Sequence, residues 1–199
     1  MSSSGELTNP FFKEQILTRQ EVEGRISFMA IEVRRDYTGK NPLFLTVRNG
    51  ATYFSGVLIR EIVLQDPEFR PRLATIRIST DNSDGTLRKP YIKEDLQPDI
   101  SLEGENVIVL EDIRDRGETI HFLKDHLIRS GADEVNSAVL LERITERPSH
   151  FQEPRYVGFY LSGEDWAIGS GLDDGRMGPD GGRYLGGISL NYPPGQIPE

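Results

Sequence analysis

The sequence predicts an α/β protein with a mainly parallel, twisted sheet flanked by helices, and three observations carry that prediction. Strand-like apolar runs take turns along the chain with segments whose apolar residues recur every three or four positions. One run, Val107-Ile108-Val109-Leu110, is apolar without alternation, as a strand buried on both faces of a parallel sheet should be. The resulting order β–α–β–α–β calls for right-handed crossovers that place helices on both faces.

Taken in order, residues 1–10 read as a loose arm. Thr18-Arg19-Gln20-Glu21 has the spacing of a capping box, and a helix should follow to about Arg35. Val22, Ile26, Met29 and Val33 would form its buried stripe. Gly39 and Pro42 break the chain before a buried strand at Leu43–Val47; Arg48-Asn49-Gly50 ends that strand, and a second helix runs from about Thr52 to Ile62. Beyond Pro67 and Pro71, Leu73–Ser79 alternates as a strand does, Thr80–Thr86 reads as a mobile loop, and Tyr91–Asp99 as strand then irregular chain. Asn106–Leu110 is the strongest strand, Glu111–Gly117 a polar loop, and Glu118–Ser130 a helix. Ile120, Leu123, Leu127 and Ile128 make that helix's apolar face, and Gly131 stops it. Val135–Leu141 and Tyr156–Leu161 are further strands, Trp166–Ile168 an extension of the sheet, Gly169–Gly187 a glycine-rich loop, and residues 192–199 an extended tail. All 199 residues fit one domain.

The formal charge of −9 argues against a broad grip on nucleic acid, though a local cluster of amides, arginines and a metal can still bind an anionic small molecule. Without cysteine there are no disulfides, thiolate metal sites or cysteine nucleophiles. The N-terminus is polar and no apolar run approaches a membrane span, so a cytoplasmic protein free of the membrane is the expectation. His121, His126 and His150 carry no catalytic signal.

The chemistry concentrates at Glu111–Thr119. A buried parallel strand delivers the acidic pair Glu111 and Asp112 to its C-terminal edge, where open α/β sheets bind ligands. Asp115, Arg116, Gly117 and Thr119 then form a tight turn into a helix N-terminus, whose free amides favour an anion such as phosphate. Carboxylates beside a phosphate site suit ribose hydroxyls or a hard cation. Taken alone, the segment fits either a site or a solvated acidic rim.

The whole segment resembles the phosphoribosyl diphosphate (PRPP) motif of type I phosphoribosyltransferases: four apolar residues, two acidic ones, then Asp-x-Gly-x-Thr. With Glu-Asp opening the motif it is most similar to the hypoxanthine/guanine family. Ile16-Leu17-Thr18 and Arg35–Gly39 resemble that branch's opening, and Leu45–Gly50 sits at its pyrophosphate loop. Leu140-Leu141-Glu142-Arg143 resembles its Leu-Leu-x-Lys; Tyr156–Phe159, Trp166 and Gly171-Leu172-Asp173 follow in family order. The resemblance implies the type I phosphoribosyltransferase fold with a small irregular hood, and a homo-oligomer, dimer or tetramer.

It also implies Mg²⁺-dependent transfer of the phosphoribosyl group from PRPP to hypoxanthine or guanine, giving IMP or GMP and pyrophosphate in purine salvage. Glu111 and Asp112 would hold the ribose hydroxyls directly or through Mg²⁺, and Asp115 would be the general base or hydrogen-bond partner at purine N7. Arg116, Gly117, Glu118 and Thr119 would cradle the 5′-phosphate; Arg48, Asn49 and Arg183 would meet pyrophosphate; Asp173 would bind a second Mg²⁺. Arg143 would donate to the 6-oxo group, with Trp166 stacking on the base beside Ala167. The bland alternatives are a core aromatic at Trp166, a turn residue at Asp173 and a surface charge at Arg143.

Three positions depart from the family. Arg116 replaces a small hydroxyl residue, Val47-Arg48-Asn49 replaces Leu-Lys-Gly, and Thr80-Asp81 stands where Ser-Tyr closes over the reacting centre. Asn49 would be costly if its backbone needed positive φ. These departures keep two alternatives open: a nucleotide- or PRPP-binding regulatory protein with little catalysis, and a transferase for an unusual base.

Overall fold

A computed structural model describes residues 11–81, 87–193 and 195–196; the arm at 1–10, most of the loop expected at 80–86 and the end of the tail lie outside them. The first strand, β1 (Phe12–Leu17), leads directly into α1 (Arg19–Asp36). Thr18 caps α1 through the expected box: its hydroxyl accepts from the Glu21 amide, and the Glu21 carboxylate accepts from the Thr18 amide at 2.8 Å. Val22, Ile26, Met29, Ala30 and Val33 form the buried stripe.

There follow β2 (Leu43–Arg48), α2 (Thr52–Gln65), β3 (Arg72–Asp81), β4 (Leu87–Glu94), β5 (Asn106–Arg114), α3 (Glu118–Arg129), β6 (Glu134–Arg143) and β7 (Tyr156–Leu161). The central sheet has the order β4-β3-β2-β5-β6-β7, parallel throughout except for the antiparallel edge strand β4. Its two central strands are buried on both sides. Phe44, Ile108 and Leu110 face α1 and α2, while Leu43, Leu45, Val107 and Val109 face α3. Each such side chain contributes roughly 1.5–3 kcal/mol on burial, which is what fixes the register of the sheet's C-terminal edge.

Several boundaries differ from the sequence reading. The segment Glu111–Gly117 is not loop from its start, because β6 runs on to Arg143 and pairs Ile113 with Leu141 and Arg114 with Glu142. Trp166–Ile168 does not extend the main sheet. As β8 it joins β1 and β9 (Ile188–Asn191) in a separate antiparallel sheet of order β1-β9-β8. The wholly buried β9 takes the centre, so the hood is more regular than the glycine-rich sequence indicates. Ile128 is 42% exposed, since the narrow buried face of α3 is complete with Ile120, Leu123 and Leu127. Among the described residues no helix is long and apolar enough to cross a membrane.

Candidate active site

Three adjoining clefts open at the C-terminal edge of the sheet, and they share Ile113, the residue after the acidic pair. Glu111 is buried, and Asp112 beside it donates its amide to Glu111 Oε1 at 3.3 Å. Burial, reinforced by the neighbouring carboxylate, holds Glu111 well above the usual carboxylate range. Burial also raises Asp112, although the Ile113 amide (2.9 Å) and Arg183 oppose the rise. Gly50 presses against this pair from β2's end: a Cβ built there would lie 1.8 Å from Asp112 Oδ2.

The first cleft, about 320 Å³, is the turn itself: Asp115, Arg116, Gly117, Glu118 and Thr119, walled by Glu111, Thr80 and Trp166. Gly117 caps α3 with φ +84°, and a side chain there would meet Arg114, Phe151 and Arg147 at 3.1–3.3 Å. Only glycine meets both demands. The open amides of α3's first turn thus face a cleft that suits a phosphate.

The second cleft, about 500 Å³, gathers Arg48, Asn49, Arg183 and Asp173 with Glu111, Asp112 and Thr119. The Arg48–Asn49 peptide is cis, and Asn49 is not among the residues with positive φ, so the cost anticipated for it does not arise. Arg183 donates to Asp173 at 2.7 Å, to Asp180 at 2.8 Å and to the Gly171 carbonyl. Arg77, Ser79 and Lys93 also line this cleft. Sequence reading missed them; the alternation of β3 marked Arg77 and Ser79 only as polar-face residues. Glu94 binds both Arg48 and Arg77, the latter at 3.0 Å.

In the third cleft, about 240 Å³, Asp115 meets Arg143, Trp166, Ala167 and Leu172. Arg143 Nε donates to Asp115 Oδ1 at 2.7 Å, and its other nitrogens donate to the carbonyls of Asp165 (3.1 Å) and Gly163. Arg143 is therefore no free surface charge. Trp166 is no core aromatic either: it is 44% exposed and anchored by its Nε1 on the Asp173 carbonyl at 3.0 Å. Such a flat, fixed ring beside hydrogen-bonding groups suits a planar heterocycle. Asp173 is not a turn residue: it lies in irregular chain between the Gly169–Leu172 bridge and a short 3-10 helix at Gly175–Met177, and it lines two clefts.

Among the described residues no group of three or more His, Asp or Glu side chains is placed to hold a metal. The donors present fit Mg²⁺ nonetheless. Mg²⁺ favours oxygen, keeps several waters, and binds through one or two carboxylates plus substrate phosphates. Glu111 with Asp112, and Asp173 separately, offer that number.

The model of the phosphoribosyl transferase domain matches residues 13–168. A hypoxanthine-guanine phosphoribosyltransferase of Lactococcus lactis is 30% identical over 161 residues, covering 81% of this chain and 80% of that one. A bifunctional TilS/HprT protein of Listeria monocytogenes is 29% identical over 158 residues, and the matched part spans only 23% of its length. The crystal structure of a hypoxanthine-guanine phosphoribosyltransferase from Bacillus anthracis superposes with a TM-score of 0.75 at 27% identity, covering 90% of this chain and 97% of that one.

Proposed function

This chain belongs to the phosphoribosyl transferase domain family, and from that premise we propose that it transfers the phosphoribosyl group of PRPP to hypoxanthine or guanine. The observation that carries this reading is the meeting of a phosphate-suited turn, a cation-lined cleft and a base-sized slot at Glu111–Asp115. The three clefts share walls, as sites for the linked phosphate, sugar and base of one ligand must.

In this reading the amides and hydroxyl of Arg116–Thr119 bind the 5′-phosphate, and Glu111 with Asp112 accept from the ribose hydroxyls. The purine lies against Trp166 with its N7 side toward Asp115, and Arg143 donates to its 6-oxo group. The bond from the sugar C1 to pyrophosphate breaks as the bond to the purine nitrogen forms. Asp115 takes the proton released by the base, or holds a hydrogen bond at N7, and its charge stabilises the cationic sugar in the transition state. Arg48, Asn49 and Arg183 receive the departing pyrophosphate. Glu111 with Asp112, and Asp173 separately, would hold Mg²⁺, which would supply neutralisation of phosphate charge.

The test is pyrophosphate release from PRPP and Mg²⁺ with hypoxanthine, guanine, xanthine or adenine supplied separately. Turnover with the first two, reduced by about 10²–10⁴-fold in Asp115→Asn, is the expected result. An Asp115→Asn rate equal to wild type would remove Asp115 from the chemistry. A second reading, a PRPP or nucleotide sensor, is favoured by Glu94, which already occupies Arg48 and Arg77. Thermal stabilisation by PRPP with no turnover of any base would favour it instead.

A further inference from the structure

Beneath the phosphate turn lies a set of buried charges that the proposed reaction does not use. Arg114, Glu142 and Arg147 have side chains only 1%, 4% and 9% exposed. Arg114 Nη1 donates to Glu142 Oε1 at 2.7 Å, and Arg147 Nη1 donates to the same oxygen at 2.6 Å. Arg114 also reaches Glu153 at 2.6 Å, but that carboxylate is 73% exposed and solvated. Two guanidiniums thus meet one buried and one exposed carboxylate, and Arg147 has the buried one alone as its ionic partner.

The remaining donors of Arg147 all go to backbone at the site. Nε and Nη2 donate to the Asp115 carbonyl at 3.0 and 2.6 Å; Nη2 also donates to the Arg114 carbonyl at 3.2 Å and to that of Arg143. One planar fork thereby ties the end of β5, carrying Asp115, to the end of β6, carrying Arg143. Its Cδ also closes the space behind Gly117. Lysine, with a single nitrogen, cannot make this bridge.

Stability alone does not account for the set. Buried ion pairs are often no more stabilising than apolar residues of the same volume, and this one leaves Arg114 Nε and Glu142 Oε2 without hydrogen-bond partners. We propose that Arg147, braced by Glu142 and Arg114, is a positioning residue that presets the phosphate turn and the Asp115–Arg143 register from behind Gly117. The inference deepens the transferase reading and rests on it.

The experiment compares wild type, Arg147→Ala and Arg147→Lys by calorimetric titration with GMP and by steady-state pyrophosphate release, with melting temperatures alongside. Arg147→Ala should weaken GMP binding and lower kcat, each by about 10²-fold, as expected when reacting groups shift by about 1 Å. Arg147→Lys keeps the charge but not the bridge, so its kcat should stay low. Lower melting temperatures with unchanged GMP affinity and kcat would overturn the proposal and leave the transferase reading standing. If the alanine variant does not fold, the lysine variant decides: a kcat equal to wild type overturns the proposal. Wild type that binds neither GMP nor PRPP overturns the transferase reading and the proposal together.

Discussion

Replacing Gly50 by alanine should separate activity from stability. Gly50 is not among the glycines with positive φ, so its backbone suits any residue, and fewer unfolded conformations should offset part of any packing cost. What alanine cannot do is share space with Asp112: its Cβ would lie 1.8 Å from Oδ2 and 2.5 Å from Cγ. Ordinary contact needs about 3.5 Å, so the carboxylate must retreat by well over 1 Å. Its neighbour Glu111 is buried, leaving little room to turn without disturbing the acidic pair. A misplacement of about 1 Å in a catalytic constellation costs about 10²-fold in rate, equivalent to about 2.7 kcal/mol of barrier. Pyrophosphate release at varied PRPP should therefore fall about 10²-fold, while the melting temperature moves by only a few degrees. Near-normal turnover in a folded Gly50→Ala protein would refute the reasoning, because it would mean that Asp112 either moves freely or is not used.

Three further outcomes follow from other parts of the molecule. Because burial raises Glu111, the folded state holds its proton more tightly than the unfolded state. Stability of the ligand-free protein should fall as pH rises from the usual glutamate range near 4.5 through the raised value. Glu111→Gln should flatten that fall and melt higher at neutral pH; superimposable melting curves against pH would contradict the assignment. Thr18→Ala, which breaks the capping box of α1, should lower the melting temperature by about 2–4 °C without changing KM for PRPP. Trp166→Ala should raise KM for the base by about tenfold or more, the worth of one stacking contact, and leave PRPP affinity within about twofold; equal losses toward both substrates would point to a collapsed hood instead.

The parallel sheet and its catalytic edge were legible because their signals are local. The cap at Thr18, the unalternating run Val107–Leu110 and the acid pair before a glycine turn each declare themselves within a few residues. The candidate residues from Arg48 to Arg183 do line the three clefts, since strand order carries each to the same edge. What escaped depends on partners distant in the chain. β1 is an exposed strand that, among the described residues, pairs only with β9, and β9 is too short to show a period. Arg114 sits in a stretch read as polar loop, and nothing local says that Glu142 and Arg147 will bury it. Arg77 and Lys93 look like solvent-facing charges until β3 and β4 carry them to the cleft.

The hood also fixes an order of assembly. Trp166 and Ala167, which wall the base slot, stand on β8, and β8 hydrogen-bonds only to β9 among the described strands. β9 in turn zips against β1, joining residues 188–191 to residues 12–17 across almost the whole length of the polypeptide. During synthesis, the strands and helix that build the phosphate turn leave the ribosome well before residue 188 does. A nascent chain can therefore form the Asp115–Thr119 turn early, while the slot walled by Trp166 and Ala167 waits for β9 to be translated and threaded between two other strands.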